Sequence, residues 1–337
     1  MATISDVAIR AGVSTATVSR ALNGKSTVDP ELAARVLAAA GELGYRPNGP
    51  ARNLRRQETS VLALIISDVE NPFFTAISRG VEDVAHSAGY SVVLCNSDDS
   101  PDKEREYVEV ALQERVAGVL VSPTGRGDSA DRLRSHHTPV VALDRPLPHF
   151  LGDTVLVDNR LAAKQATVHL AEQGYRAIGC VTGPRGVLTA DERLAGYRDG
   201  LRASQRTSSP ALIRRSEFKA AGAKHAAHYL LTQDDPPDAL LVANNTMAVG
   251  VLETLADLGL RPGRDVGVVA FDDAPWTTLL APPLTVVAQP AYDMGRIGAQ
   301  LLLNRIGEDG TEGTTTTLSA QLVIRGSSSP ERRDNRS

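Results

Sequence analysis

Residues 61–69 read VLALIISDV. Six apolar residues, Val61 to Ile66, run without a break into the polar pair Ser67-Asp68. A strand with one wet face alternates apolar and polar side chains, whereas an unbroken apolar run suits a strand covered on both faces, as in a parallel sheet flanked by helices. The next segment fits, because Phe73, Ile77, Val81, Val84 and Ala88 recur at helical spacing. The alternation goes on through the strands YSVVLC, AGVLVSP and PVVALD. It restarts near residue 160 with a helix from Asn159, the strand AIGCVTG, a helix over 190–204 and a strand near Ala211-Leu212-Ile213. A helix from Ala220, the strand ALLVAN, a helix over 246–258 and the strand VGVVAFDD complete it. One doubly wound sheet rarely needs this much chain, so two α/β subdomains are expected, with ligand-binding groups beyond the carboxyl ends of the strands.

Before residue 61 the pattern is different, with three short helices and no strand over residues 1–46. Thr3-Ile4-Ser5-Asp6 fits a capping box, and Gly12 suits the left-handed residue that ends the helix. Ser14 can cap the next helix, TATVSRALN, which Asn23-Gly24 would stop. Asp29-Pro30-Glu31 is a third start signal, followed by Leu32, Val36, Ala39, Ala40 and Leu43 on one face. Helix, tight turn at Ala11-Gly12-Val13 and second helix is the arrangement that sets a recognition helix in the major groove. Val18, Ala21 and Leu22 would pack inward, leaving Thr15, Ala16, Thr17 and Arg20 to meet bases and phosphates. The same spacing also fits a small helical bundle that docks on another surface.

The 337-residue chain carries a net charge of −4, which by itself argues against nucleic acid. Residues 1–60 are different, with eight Lys and Arg against five Asp and Glu, or +3, leaving −7 on the rest. A basic head on an acidic body suggests that only the head meets phosphate. Cys95 and Cys180 lie in apolar runs and read as buried free thiols suited to a reducing compartment. The polar N-terminus lacks a signal-peptide core, and there is no apolar run of about 18 residues, so a cytoplasmic protein with no membrane partner is expected. Enzyme signals are weak. NGKS at 23–26 matches the end of a phosphate-binding loop, but Ser19 stands where that loop requires glycine. His225 and His228 lack a cysteine or carboxylate set to complete a metal site, and no Gly-x-Ser-x-Gly elbow occurs. No catalytic residue, metal or cofactor is therefore assigned.

Together, TISDVAIRAGVSTATVSRALNG, VDPELAARVLAAAGELGYRPN, DVENPFF, ERLAGYRDGL, LLVANNTMAVG and VVAFDDAPW resemble the lactose/galactose repressor (LacI/GalR) family, in order and to about residue 325. That resemblance implies a repressor gripping a palindromic operator as a homodimer, with a core like periplasmic sugar-binding proteins that closes on a small effector. It places Thr15, Ala16 and Arg20 at base-reading positions of the recognition helix, with Thr17 and Asn23 beside them. In the hinge segment 47–60, PNGPARNLRRQETS, it matches Leu54 to the leucine that relatives wedge into the minor groove, with Arg52 nearby for phosphate. Gly49-Pro50 stands where relatives often have Ala-Leu, so Pro50 becomes a candidate first helical residue. We expect core subdomains over 61–158 with 289–318 and 159–288 with 319–326, and a disordered tail over 327–337. The tail carries no leucine heptad, which favours a dimer over a tetramer.

Sugar hydroxyls call for carboxylate, amide and guanidinium groups, and a sugar's apolar face calls for an aromatic plane. Strand ends offer Asp68, Phe73 and Phe74, then Asp144-Arg145, Asn244-Asn245, Asp272-Asp273 and Trp276. By position in the family, Phe73 and Phe74 meet ligand rings, Arg193 and Asp272 clamp polar groups, Asn244 adds an amide and Phe218 stacks. Asp144 completes the expected effector set. Phe73 suits plain core equally well, and Trp276 either stacks on a sugar or fills its loop. Asn245 departs from the family, which frequently has Asp there. A periplasmic binding protein and a sugar-modifying enzyme are the rival readings.

Overall fold

A computed structural model describes residues 2–22, 28–43, 59–125, 127–148, 152–307 and 313–329. The chain forms two compact units, Met1–Thr59 and Ser60–Ser337. In the first, Thr3 caps α1 (Ile4–Ala11): its hydroxyl accepts the Asp6 amide at 3.3 Å, and its own amide donates to the Asp6 carboxylate at 2.8 Å. Gly12 ends α1 at φ 65°, a left-handed conformation that glycine adopts without a Cβ penalty. Ser14 accepts the Thr17 amide at 3.1 Å as α2 (Thr15–Leu22) begins. Asp29 accepts the Glu31 amide at 2.9 Å at the start of α3 (Pro30–Glu42). Val7, Ala11, Val18, Ala21, Val36 and Ala40 form the buried centre of this unit. Leu43, expected inside, sits at the C-cap of α3 and stays exposed. Arg35 reaches the turn and donates to the Ala11 carbonyl at 2.6 Å, satisfying a helix-end acceptor.

The second unit holds two six-stranded sheets. The first is built from β1 (Val61–Ile66), β2 (Ser91–Asn96), β3 (Gly118–Val121), β4 (Val140–Leu143), β5 (Asp153–Val157) and β11 (Thr315–Leu318), in the order β11-β5-β4-β3-β1-β2. The second contains β6 (Ile178–Thr182), β7 (Ile213–Arg215), β8 (Ala239–Val242), β9 (Gly267–Phe271), β10 (Thr285–Ala288) and β12 (Gln321–Val323), in the order β12-β10-β9-β8-β6-β7. All neighbours are parallel except β12, which runs antiparallel to β10. The chain thus crosses between sheets three times: after β5, after β10 and between β11 and β12.

Helices cover both sheets: α4 (Pro72–Ser87), α5 (Pro101–Gln113), α6 (Ser129–Ser135) and α11 (Ala291–Gly307) on the first, and α7 (Asn159–Glu172), α8 (Leu188–Ala203), α9 (Ala220–Leu231) and α10 (Asn245–Asp257) on the second. The central strands are buried almost throughout, as their apolar runs predict, with only Val61 at the start of β1 partly exposed. β2 is different. It is an edge strand, and Val93 and Leu94 are exposed despite the apolar run YSVVLC. α4 and α11 approach through Gly80 and Gly295, where a Cβ would collide with the backbone carbonyls of Tyr292 and Ile77 respectively.

The expected strand near Ala211 is displaced: Pro210–Leu212 form a 3-10 turn and β7 starts at Ile213. The expected disorder from residue 327 is corrected at its start. Ser327 and Ser328 are fully buried, and Ser328 shares hydrogen bonds with His169 Nε2 at 2.8 Å and Thr285 Oγ1 at 2.7 Å. Residues 330–337 lie outside the described residues. Cys180 is buried and Cys95 half-buried, both as free thiols.

Candidate functional site

The ends of β1, β2, β4, β6, β7, β8, β9 and β10 all deliver residues to one cavity of about 340 Å³ between the two sheets. This is the crevice where parallel α/β sheets hold ligands, because the strand ends and helix starts converge there. At its floor Asp144 follows β4 and Asp272 follows β9, both buried. Both have left-handed backbones, φ 65° and 73°, a region that Asp tolerates better than most residues. Each amide is still held by the next strand, through the carbonyls of Val155 and Val287 at 2.9 Å.

Arg193 of α8 interacts electrostatically with both carboxylates and is buried and held on three sides. Its Nε donates to Asn159 Oδ1 at 2.7 Å, its Nη1 donates to the Ala243 carbonyl, and its guanidinium lies 4.2 Å from the centre of the Phe271 ring. Burial pushes the Asp144 carboxyl up, against the pull of Arg145 and Arg193. Burial likewise raises Asp272, against Arg193 and the Gln289 amide. The Arg193 pKa is lowered by burial, although Asp272 and Asp144 oppose the shift. The floor is therefore a buried cluster of opposite charges in a low-dielectric setting.

Several contacts join the subdomains around this floor, among them Gln289 Nε2 donating to Asp272 Oδ1 at 2.5 Å. Lys219 Nζ meets Asp68 Oδ2 at 2.7 Å, Asn245 Nδ2 donates to Asn71 Oδ1 at 2.8 Å, and the Arg145 guanidinium lies 5.9 Å from the Phe218 ring centre. Asn245 Nδ2 also lies 3.2 Å from Asp272 Oδ2. That gives the Asn at 245 a physical role, since an amide can donate to the buried carboxylate where an ionised Asp would repel it.

The structure brings Phe73, Phe74, Asp144, Arg193, Phe218, Asn244 and Asp272 to this cavity. Phe73 and Phe74 are at once wall and core: their ring centres are 5.1 Å apart, edge to face, and both belong to the first sheet's apolar cluster. Asn244 uses its Oδ1 to cap α10, accepting the Met247 amide at 2.7 Å, and keeps its amide hydrogens for the cavity. Trp276 is a correction. The 3-10 turn Pro275–Thr278 carries it away from the cavity to pack on the second subdomain's core. Sequence reasoning missed Gln289, Lys219, Asn71 and Asn159. Gln289 directly follows β10, so the strand-end rule could have found it.

In the head, Thr15, Ala16 and Arg20 are exposed, and Thr17 is half-buried with its hydroxyl 2.9 Å from that of Ser14. Asn23, Arg52 and Leu54 lie outside the described residues. Among the described residues no group of three or more His, Cys, Asp or Glu could hold a metal ion. No helix among them is long and apolar enough to cross a membrane.

A helix-turn-helix unit joined to a two-sheet core with a polar cavity defines the class: a transcriptional regulator with a ligand-binding domain. Comparison with known proteins agrees. Residues 3–48 match the profile of bacterial regulatory proteins of the lacI family, and residues 167–328 match the periplasmic binding protein-like domain. The ribose operon repressor of Halalkalibacterium halodurans is 34% identical over 325 residues, 96% of each chain. The transcriptional regulator CelR, solved as a cellobiose complex, is 32% identical, with 97% of this chain and all of that chain covered and a TM-score of 0.74. The Lac repressor dimer bound to operator and the anti-inducer ONPF is 27% identical, with 97% and 99% covered and a TM-score of 0.85. The chain belongs to the LacI family. These relatives are transcriptional regulators, not enzymes.

Proposed function

We propose that the protein is a sequence-specific DNA-binding repressor whose operator affinity is set by a small sugar-like effector bound between the core subdomains. The observation that carries the effector half is the buried Asp144, Arg193, Asp272 cluster, set beside Phe73, Phe74 and Phe218 in one cavity. Carboxylates and a guanidinium suit hydroxyl groups, and aromatic walls suit the apolar face of a sugar ring. It binds rather than transforms the ligand and works in the cytoplasm, where its operator lies. The relatives support this reading: one is named for the ribose operon, another is solved with cellobiose, and a third is solved on its operator.

On this reading Thr15, Ala16, Thr17, Arg20 and Asn23 read the operator. Ala16 can offer only apolar contact, such as to a thymine methyl. Arg52 contacts phosphate and Leu54 enters the minor groove at the centre of a palindromic site. The protein acts as a homodimer, and exposed apolar residues such as Val93, Leu94 and Leu279 offer surface for a second copy. The effector binds one relative orientation of the subdomains better than the other, and only that difference can shift the equilibrium. The contacts Lys219–Asp68 and Asn245–Asn71 belong to the orientation seen here.

Footprinting on DNA upstream of the protein's own gene tests the reading. A protected palindrome that a small sugar releases is the expected result. Absence of any protected palindrome at every salt concentration would refute it.

A further inference from the structure

We infer that the effector is an uncharged polyhydroxylated ligand, and that phosphorylated and acidic sugars are rejected. This rests on the proposed effector site. Six cavity residues are carboxylates and three are cations, and two of the cations are ion-paired. Lys219 is paired with Asp68 at 2.7 Å, and Arg145 with Asp99 at 2.6 Å. Arg193 donates through Nε to Asn159 and through Nη1 to the Ala243 carbonyl. A bound phosphate needs a guanidinium fork or ammonium that is free to neutralise it.

Helix N-termini are the other anion-binding device, and residues at the starts of α4, α8, α9 and α10 line the cavity. Those of α8 and α9 carry no side-chain cap, although Asp191 stands in the first turn of α8. Those of α4 and α10 are filled by the protein's own acceptors. Asn71 Oδ1 takes the Phe73 amide at 2.9 Å at the start of α4. At α10, Asn244 Oδ1 takes the Met247 amide at 2.7 Å, and Asp272 Oδ2 lies 3.4 Å from the Asn245 amide nitrogen. An incoming anion would meet six carboxylates against three cations, among them Asp144 and Asp272 at the floor and Glu217 in the wall. Hydroxyl groups face the opposite situation: carboxylates accept from them, and Asn244 keeps its amide hydrogens to donate. The cavity lies at the small end of the range of about 300–1,000 Å³ for ligand pockets, which suits roughly one or two rings.

The test uses the full chain and a panel of common aldopentoses, aldohexoses, disaccharides and nucleosides. Each is paired with its phosphate or uronate, for example ribose with ribose 5-phosphate and glucose with glucuronate. Binding is measured by calorimetry and thermal shift at pH 7.5 and constant ionic strength, with inorganic phosphate as a control. At least one uncharged member should bind, and its anionic counterpart should bind 100-fold or more weakly. Asp144→Asn and Glu217→Gln should each narrow that gap, because each removes a repelling charge. The inference is overturned if an anionic member or inorganic phosphate binds as tightly as the uncharged forms, if an amino sugar outcompetes its neutral parent, or if no uncharged member binds. Operator release is read in parallel. Release by an anionic sugar would overturn this inference and leave the proposed function standing. Tight uncharged ligands that never alter operator affinity would do the opposite.

Discussion

Replacing Arg193 by Ala tests the charge cluster directly. The change removes a hydrogen bond to Asn159 at 2.7 Å, another to the Ala243 carbonyl, a guanidinium 4.2 Å from the Phe271 ring centre, and a positive charge that both Asp144 and Asp272 feel. Each acceptor left unpaired costs about 1–3 kcal/mol if dry, and less where cavity water reaches it. The charge weighs more. Without Arg193 both buried carboxylates lose an opposing positive charge, which favours their protonated forms. Keeping a carboxyl of ordinary pKa protonated at pH 7 costs at most about 4 kcal/mol. Burial already raises both groups above the ordinary 3.8, and losing Arg193 raises them further. A folded state that binds a proton more tightly than the unfolded chain is fully favoured below the unfolded pKa and loses stability as pH rises through its folded pKa. The variant's deficit should therefore accumulate as pH rises from the raised value in the unaltered protein to the higher value in the variant. Urea unfolding at pH 5, 6 and 7.5 should show a loss of about 3–6 kcal/mol at pH 7.5 that shrinks towards pH 5. Effector affinity should fall at least about tenfold, the low end for a hydrogen bond to a charged group, while operator binding survives. A deficit independent of pH, or effector affinity within threefold of the original, would refute the reasoning.

Gly80→Ala drives a methyl into the Tyr292 carbonyl, so the α4–α11 contact must open; a loss of about 1–3 kcal/mol in urea is expected, and an unchanged midpoint counts against the close approach. Asp29→Ala removes the N-cap of α3 and should cost the head about 1 kcal/mol, seen as earlier loss of operator binding on heating. Leu54→Ala should weaken operator binding and leave effector binding intact; equal loss of both would remove the wedge role. Sedimentation at micromolar protein should give a dimer, and a stable tetramer would contradict the proposed assembly.

Much of this was legible in the sequence, for identifiable reasons. VLALII and GVVAF announce central strands because only burial on both faces tolerates such runs. YSVVLC carries the same signal yet forms an edge, since composition does not say how many neighbours a strand has. Asp144 and Asp272 could be found because each immediately follows a strand. Arg193 has no such marker: it lies within the long α8, and only the family resemblance singled it out. Lys219, Asn71 and Asn159 escaped because their roles depend on partners 151, 174 and 34 residues away in the chain. Trp276, which the sequence left open between stacking on a ligand and filling its loop, lies in a short 3-10 turn and packs on the second subdomain's core.

The three crossings between the sheets have a consequence for how this protein can be taken apart. The head is one continuous stretch that ends before the first strand of the core, so it can be exchanged between regulators as a single cassette. Neither core subdomain has that property. Each takes its final strand, β11 or β12, from beyond α11, so a cut anywhere in the core leaves at least one sheet short of an edge. Recombination that keeps both sheets whole must therefore replace both subdomains together, whereas the head can be changed alone.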